Sequence, residues 1–256
     1  ENELFFQAND GLTGVELWKY NPGADELQLV ADINPGLAGS SPENFTVYND
    51  QLYFTAFETV TSTELYSYNP VSGEISRKTD VTSNLGPSFL AVYKEKLFMN
   101  GRFSSSTNNE LIYYDESTEA LVLAADLNPG SGAGNPRDLG VFTEKLYFTA
   151  DTEDYGRELW EYNDTIAAIV ADIYSGSPGS EPSELTLFNN KLYFSANDGT
   201  KGAELWSIAQ CLNVFVDTEP DMGPESRGSI DLTIMGGLEP YRISWSNGEN
   251  TEDLEN

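Results

Sequence analysis

Five glutamates recur at matching places along the chain, and carboxylates are its most abundant chemically active groups. Each precedes a leucine and then an aromatic residue or isoleucine: Glu16, Glu64, Glu110, Glu158 and Glu204. Such a set could bind cations or carry out acid–base catalysis. A catalytic pair of carboxylates, however, needs two unlike environments, and these copies are alike. We therefore predict that the glutamates accept hydrogen bonds within the fold and that none is catalytic.

A second group of carboxylates follows the same repeat. Its members each lie between a small residue and an aliphatic one: Asp32, Asp80, Asp126 and Asp172. Short acidic side chains often accept hydrogen bonds from nearby backbone N–H groups. We predict that these aspartates cap turns at strand ends.

Calcium is the one cofactor that the sequence brings into question. Asp10 and Asp198 each precede a glycine in a turn rich in oxygen ligands, which suits calcium. Their spacing is neither that of an EF-hand loop nor that of the calcium-binding nonapeptide repeats. Asn-Asp-Gly is also a strong turn signal, so we interpret both segments as hairpin turns and expect no cofactor.

The composition removes several classes of chemistry. The chain has no histidine, which excludes Ser-His-Asp and Cys-His catalysis and histidine-liganded zinc. Its single cysteine, Cys211, allows neither an internal disulfide nor a Cys₄ metal site. The formal net charge of −29 repels nucleic acid and anionic lipid, so we expect neither as a partner. No apolar run approaches the roughly 20 residues that span a membrane, so no insertion is predicted.

The glutamates belong to a repeat of strands. Apolar triplets begin near residues 4, 52, 97, 146 and 192, at spacings of 45 to 49 residues. The first repeat predicts strands at 3–8, 15–20, 26–32 and 44–48, separated by Asn, Asp, Gly and Pro turns. Four strands in a repeat of this length are typical of a β-propeller blade. A β-solenoid is the alternative, although its coils are usually shorter.

The triplets favour the propeller. A strand of a one-sided sheet alternates apolar and polar residues, whereas Leu52-Tyr53-Phe54 is apolar at successive positions. Such a strand is covered on both faces, as in blades stacked between neighbours. We predict an all-β propeller of four-stranded antiparallel blades over residues 1–208, with eighteen strands in this stretch and five or more blades in the ring.

The pattern changes near Ala209. Strands are predicted at 211–216, 229–234 and 241–245, with a hairpin turn at Asn247-Gly248. We predict that residues 209–256 form an incomplete immunoglobulin-like β-sandwich, because three strands are too few for a whole one. Both ends therefore suggest a piece of a longer polypeptide.

One aromatic residue follows most of the glutamates. Trp18, Tyr66, Trp160 and Trp206 could form a platform for sugar stacking. A large residue once per repeat is more often part of the core between blades, which is the interpretation we favour.

Two stretches of the repeats carry a more specific pattern: residues 192–200 with 202–206 in the fifth repeat, and Asp32-Ile33-Asn34-Pro35-Gly36 in the first. This pattern resembles the ELW or hyalin-like repeats of large secreted bacterial proteins. It extends over residues 1 to about 208. The second and third repeats depart from it, because Phe57-Glu58 and Arg102-Phe103 replace the Asn-Asp turn. Any site built from those turns is therefore not equivalent in all five repeats.

Residues 228–255 contain an ordered set of motifs: Gly228-Ser229-Ile230-Asp231-Leu232-Thr233, Gly236-Gly237, Pro240-Tyr241, Ser244-Trp245-Ser246-Asn247-Gly248 and Thr251-Glu252-Asp253-Leu254. This set resembles the SprB-type repeat of gliding Bacteroidetes. The resemblance implies a second cysteine beyond Asn256 as the partner of Cys211, and export to the cell surface by type IX secretion. Asp164-Thr165-Ile166 also fits a short pattern linked to O-glycosylation in Bacteroidetes, which makes Thr165 the expected acceptor.

These observations lead to two functional hypotheses. The first is a non-enzymatic, adhesin-like binding or structural module of a large cell-surface protein, linked to gliding or attachment. Its partner would be a protein, a glycan, or other domains or copies of the same chain. The second is an accessory propeller of a type IX-secreted hydrolase whose catalytic domain lies outside these residues. A catalytic propeller is disfavoured because histidine is absent and the repeats are alike.

Overall fold

The computed structural model shows an all-β protein. It describes residues 3–59, 62–79, 86–103, 108–130, 132–209, 213–219, 229–235, 243–245 and 254–255. Within these residues every regular element is a strand, and none is a helix long and apolar enough to cross a membrane. The chain divides into two compact units, Glu1–Ser183 with Ser195–Glu204, and Glu184–Phe194 with Leu205–Asn256.

The first unit contains four antiparallel sheets in which each strand pairs with its neighbour in sequence. Sheet 1 comprises β1 (Leu4–Asn9), β2 (Val15–Asn21) and β3 (Glu26–Ala31). Sheet 2 comprises β4 (Glu43–Tyr48), β5 (Gln51–Thr59), β6 (Ser62–Tyr68) and β7 (Ile75–Arg77). Sheet 3 comprises β8 (Ser88–Tyr93), β9 (Lys96–Gly101), β10 (Glu110–Asp115) and β11 (Ala120–Ala125). Sheet 4 comprises β12 (Arg137–Phe142), β13 (Lys145–Thr152), β14 (Gly156–Tyr162) and β15 (Ala167–Ala171).

The strands follow the repeat closely. A fifth sheet contains β16 (Ser183–Phe188), β17 (Lys191–Asn197) and β18 (Ala203–Ala209), so the described residues up to Ala209 hold the eighteen predicted strands. In the first repeat the observed strand ends differ from the predicted ones by no more than one residue. Sheets and repeats are offset, however, because the last strand of each repeat pairs with the apolar triplet that follows it.

Three apolar cores lie between successive sheets of the first unit. Leu52 and Phe54 pack in a core with Leu17 of sheet 1, whereas Tyr53 packs in another with Leu97 of sheet 3. Side chains alternate across a strand, so one triplet feeds two cores. The triplets of β5, β9 and β13 are at most 8% exposed, which confirms their predicted burial on both faces.

The first triplet is an exception, and Tyr193 of the fifth triplet is only half-buried. Leu4 is 61% exposed, so the prediction of burial was wrong there. Phe5 packs in the core toward sheet 2, and alternation directs Leu4 to the opposite face. No core of the described residues covers that face.

The first strands of sheets 2, 3 and 4 lie beside one another and are joined by hydrogen bonds. The N–H of Phe89 donates to Oδ1 of Asn44 (3.1 Å). The hydroxyl of Tyr48 donates to the carbonyl of Glu95 (2.9 Å), and that of Tyr93 donates to the carbonyl of Glu144 (2.8 Å). The acceptor in both tyrosine bonds belongs to the two-residue turn of the next sheet. These turns thus both close a hairpin and connect neighbouring sheets.

The second unit includes a small sheet near the C-terminus. β19 (Asn213–Glu219) pairs with β20 (Ser229–Met235), which also pairs with β21 (Leu254–Glu255), all antiparallel. The predicted strand at 241–245 is wrong for the described residues 243–245, which lie outside any strand. The strand that pairs with β20 on the side away from β19 is β21. Cys211 and the Asn247-Gly248 turn lie outside the described residues.

Candidate functional site

Four of the five repeated glutamates occupy the same structural position. Glu16, Glu64, Glu110 and Glu158 lie near the start of β2, β6, β10 and β14 and are at most 4% exposed. Each faces the loop that leaves the last strand of its sheet for the next sheet. A buried carboxylate must find hydrogen-bond donors, and this loop supplies them.

Glu16 shows the arrangement most fully. Its Oε2 accepts from the N–H of Ile33 (3.1 Å) and the hydroxyl of Ser40 (2.5 Å). Its Oε1 accepts from the N–H of Asn34 (3.3 Å). The carboxylate thus holds both ends of a loop that begins 17 residues later and ends 24 residues later.

The same arrangement, in which a buried glutamate accepts hydrogen bonds from both ends of the loop after its sheet, is repeated in sheet 4. We call it a glutamate clamp. Oε1 of Glu158 accepts from the N–H groups of Tyr174 (3.2 Å) and Ser180 (2.8 Å). Oε2 accepts from the hydroxyl of Ser180 (2.5 Å). Ser180 is therefore the counterpart of Ser40, and both serines are fully buried.

The clamps of sheets 2 and 3 use different donors. Glu110 accepts from the N–H groups of Leu127 (2.8 Å) and Gly134 (3.0 Å). A Cβ at Gly134 would lie 2.7 Å from the Glu110 carboxylate, so a serine does not fit there. Glu64 accepts from the hydroxyl of Thr79 (2.7 Å), which itself accepts from the N–H of Leu65 (2.9 Å).

The clamped loops also connect successive repeats. The carbonyl of Ser40 accepts from the N–H of Phe57 (2.7 Å) in the next repeat. The carbonyls of Gly134 and Ser180 accept in the same way from Asp151 (2.7 Å) and Asn197 (2.9 Å). Each glutamate therefore orders a loop that hydrogen bonds to the following repeat.

Burial governs the protonation of these carboxylates. It raises the pKa of Glu64, Glu110 and Glu158 above the ordinary value, and hydrogen bonds from the loops oppose the shift. In the described residues no group of three or more acidic or cysteine side chains is arranged to hold a metal ion.

Glu204 differs from its four counterparts. It is exposed, although it stands at the same point of the repeat. In the other repeats the donors lie 15 to 24 residues downstream. Most of the corresponding positions, near 219–228, lie outside the described residues.

The repeated aspartates are exposed where the structure describes them. Asp172 accepts from the N–H of Gly176 (3.2 Å), a contact that closes the turn after β15. Asp32 and Asp126 follow β3 and β11 in the same way. Asp80 lies outside the described residues.

The two calcium candidates each close a turn. Oδ1 of Asp10 accepts from the N–H groups of Leu12 and Thr13 (both 2.8 Å) and from the Thr13 hydroxyl (3.0 Å). Oδ1 of Asp198 accepts from the N–H (2.8 Å) and hydroxyl (2.7 Å) of Thr200. These hydrogen bonds lower the pKa of both aspartates. One oxygen of each carboxylate is thus engaged within its own turn.

The remaining candidates are divided between core and surface. Tyr66 and Trp160 pack in the cores between sheets, whereas Trp18 and Trp206 are half-buried. Thr165 lies in the exposed turn between β14 and β15, where its N–H donates to Oδ1 of Asn163 (3.1 Å). Its hydroxyl is therefore on an accessible part of the surface.

Sequence reasoning missed the buried Arg157. Its guanidinium is 5% exposed and donates to Asp151 (2.5 Å), Thr149 (2.9 Å) and the carbonyl of Asn135 (3.2 Å). It lies beside Glu158 in sequence and fastens the start of sheet 4 to the preceding loop. Two features of the sequence could have indicated its role. Arg157 is one of few basic residues in a strongly acidic chain, and it stands directly before Glu158, where the first repeat has Val15 before Glu16.

Comparisons with known proteins support the fold. No protein-family model matches the sequence, and no curated protein is significantly similar to it. Among solved structures, TolB from Acinetobacter baumannii is similar with a TM-score of 0.51 at 13% identity, over 99% of this chain and 66% of that chain. A prolyl endopeptidase is similar with a TM-score of 0.54 at 9% identity, over 90% of this chain and 37% of that chain.

At such low identity these similarities concern the fold alone. The chain spans less than two thirds of the TolB chain and little more than a third of the peptidase chain. Together with the four-stranded antiparallel sheets, they establish a propeller-like all-β fold.

Proposed function

We propose that this chain is a non-enzymatic binding and structural module of a large secreted cell-surface protein. The observation that carries the proposal is the use of the repeated glutamates. Glu16, Glu110 and Glu158 direct their carboxylates at loop N–H groups of the same chain. Groups engaged in this way stabilise the fold and are poorly placed to exchange protons with a substrate.

The proposed architecture is a propeller of five or more blades followed by part of an immunoglobulin-like sandwich. Stacked sheets with clamped connecting loops make a rigid body, and its hairpin turns offer surfaces for contacts. We place the protein outside the cell, exported by type IX secretion and acting in attachment or gliding. This placement rests on the resemblance of residues 228–255 to SprB-type repeats and on the acidic surface.

Surface labelling of intact cells tests the proposal. An antibody against this chain should stain intact cells as strongly as lysed ones, with a cytosolic protein as the negative control. Staining that requires lysis would contradict both the location and the function.

The alternative is an accessory propeller of a secreted hydrolase. The similarity to a prolyl endopeptidase covers only 37% of that chain, so propeller-like sheets of this kind occur within longer peptidase chains. A protease or glycosidase signature elsewhere in the parent chain would favour this alternative. Many further SprB-type repeats would favour the adhesin-like module.

A further inference from the structure

A cleft of about 520 Å³ opens where the hairpin ends of sheets 2 and 3 meet. Its walls come from the end of β4, the β8–β9 turn, and the end of β10 with the turn that follows. The lining residues that bear on its chemistry are Tyr48, Glu95, Lys96, Tyr114, Asp115 and Glu116. Its size suits one long side chain or a small ligand.

Tyrosine rings make the floor of the cleft rigid. Tyr48 and Tyr53 lie 5.4 Å apart between ring centroids, and Tyr53 and Tyr114 lie 6.2 Å apart. The hydroxyl of Tyr48 is held by the carbonyl of Glu95. The cleft is therefore preformed, which lowers the entropic cost of binding.

The carboxylates of the cleft are held in place. Glu116 accepts from Nδ2 of Asn49 (2.6 Å) and from the hydroxyl of Tyr53 (3.3 Å). Asp115 accepts from the N–H (2.9 Å) and hydroxyl (2.7 Å) of Ser117. Glu95 adds an exposed carboxylate at the rim. Three acidic groups against one lysine leave the lining with a negative charge.

The ammonium group of Lys96, at the wall of the cleft, contacts both an aromatic ring and a carboxylate. Its Nζ lies 4.7 Å from the centroid of the Tyr113 ring and 3.7 Å from Oδ1 of Asp164. An ammonium over an aromatic face and beside a carboxylate is a favourable pair of contacts. Because Asp164 lies outside the cleft lining, the charge of Lys96 is partly compensated from elsewhere.

The wall also contains a polar atom without a partner. Tyr114 is 1% exposed, and its hydroxyl has no hydrogen-bond partner among the described residues. Burial raises the pKa of Tyr114 to about 12, so the hydroxyl stays protonated at neutral pH. A buried hydroxyl of this kind normally has a partner, and none of the described residues supplies one to Tyr114.

We propose that this cleft binds a lysine or arginine side chain from a basic segment of a partner protein. Fixed carboxylates are desolvated when a ligand enters, and a cation compensates that loss where a neutral sugar does not. The net charge of −29 would also attract a basic partner over longer distances. This inference rests on the proposed binding function and specifies the chemistry of its ligand.

Binding of a tetra-arginine peptide to the full chain tests the proposal by calorimetry, with tetra-glutamate and maltotetraose as comparison ligands. Glu95→Gln and Asp115→Asn should each weaken binding by about two- to fivefold, the range for an exposed ion pair. Lys96→Gln should tighten it by a similar factor, because a competing cation leaves the cleft. Glu144→Gln is the matched control, since Glu144 occupies the same turn position in sheet 4.

Thermal midpoints of all four variants should stay near that of the unaltered chain, which shows that each still folds. The proposal is overturned if tetra-arginine does not bind, if Glu144→Gln weakens binding as much as Glu95→Gln, or if maltotetraose binds more tightly. Surface labelling remains independent of these results. A chain found only inside cells that still binds tetra-arginine in the cleft would refute the proposed location and leave this site standing.

Discussion

Replacing Glu158 with glutamine should lower the free energy of unfolding by about 1 to 3 kcal/mol. The glutamine carbonyl can take the place of Oε1 and accept from the N–H groups of Tyr174 and Ser180. Its amide nitrogen then faces the Ser180 hydroxyl, which can rotate to accept. The loss therefore comes mainly from the exchange of the second acceptor oxygen for an amide nitrogen beside Ser180, because the two N–H donors keep an acceptor.

Glu158→Ala should be more destabilising. It leaves the N–H groups of Tyr174 and Ser180 without their acceptor, at about 1 to 3 kcal/mol each. We expect a total loss of about 2 to 6 kcal/mol on that basis. Glu204→Gln is the matched control, because Glu204 holds the same repeat position and is exposed. Its effect should stay within about 0.5 kcal/mol.

Urea denaturation followed by circular dichroism measures all three variants. The expected order of destabilisation is alanine at 158, glutamine at 158, then glutamine at 204. A Glu158→Ala variant as stable as Glu204→Gln would show that these hydrogen bonds contribute nothing to stability. A variant that keeps full stability but loses a defined enzymatic activity would show that Glu158 is catalytic.

Two further predictions concern pH and the contacts between sheets. Burial raises the pKa of Glu110 and Glu158 above the ordinary 4.5, so their stabilising contribution is fully present below pH 4.5 and lost as pH rises through the folded-state pKa. The thermal midpoint should therefore rise as the pH is lowered from 7 toward 4.5, and a midpoint that stays flat or falls over that change would contradict this. Tyr93→Phe should cost about 0.5 to 1.5 kcal/mol in urea denaturation, because it removes the hydroxyl that donates to the carbonyl of Glu144. Phe142 occupies the equivalent position in sheet 4, so a ring without a hydroxyl fits there. A loss of unfolding free energy larger than this range would therefore mean that the ring at position 93 is displaced.

Strand positions in the repeats could be predicted well because their signals are local. The Asn49-Asp50 turn adopts positive φ at both residues, as its composition indicates. The next two turns have the same conformation with Lys94-Glu95 and Thr143-Glu144, which local preference does not favour. The period of the repeat predicts turns at Lys94-Glu95 and Thr143-Glu144, whereas the residue types at these positions do not.

The roles of the glutamates could be predicted only in outline. Repetition indicated a common role, but the donors lie in loops up to 24 residues away and differ between serine, threonine and glycine positions. The cleft has no signal in any single repeat, since it joins hairpin ends from two of them. Near the C-terminus, residues 243–245 of the predicted strand lie outside any strand, because alternation shows that a segment can form a strand without showing whether it finds a partner.

The all-β class, the period, the four strands per repeat and the burial of the triplets in β5, β9 and β13 could all be inferred from the sequence. These properties follow from alternation and turn chemistry within about ten residues of chain. Tertiary structure decided which face each side chain meets, as Tyr53 and Phe54 show by entering different cores. It also decided that Glu158 is buried while Glu204 is exposed, because the loop that donates to Glu158 lies 16 to 22 residues further along the chain and meets it only in the folded protein.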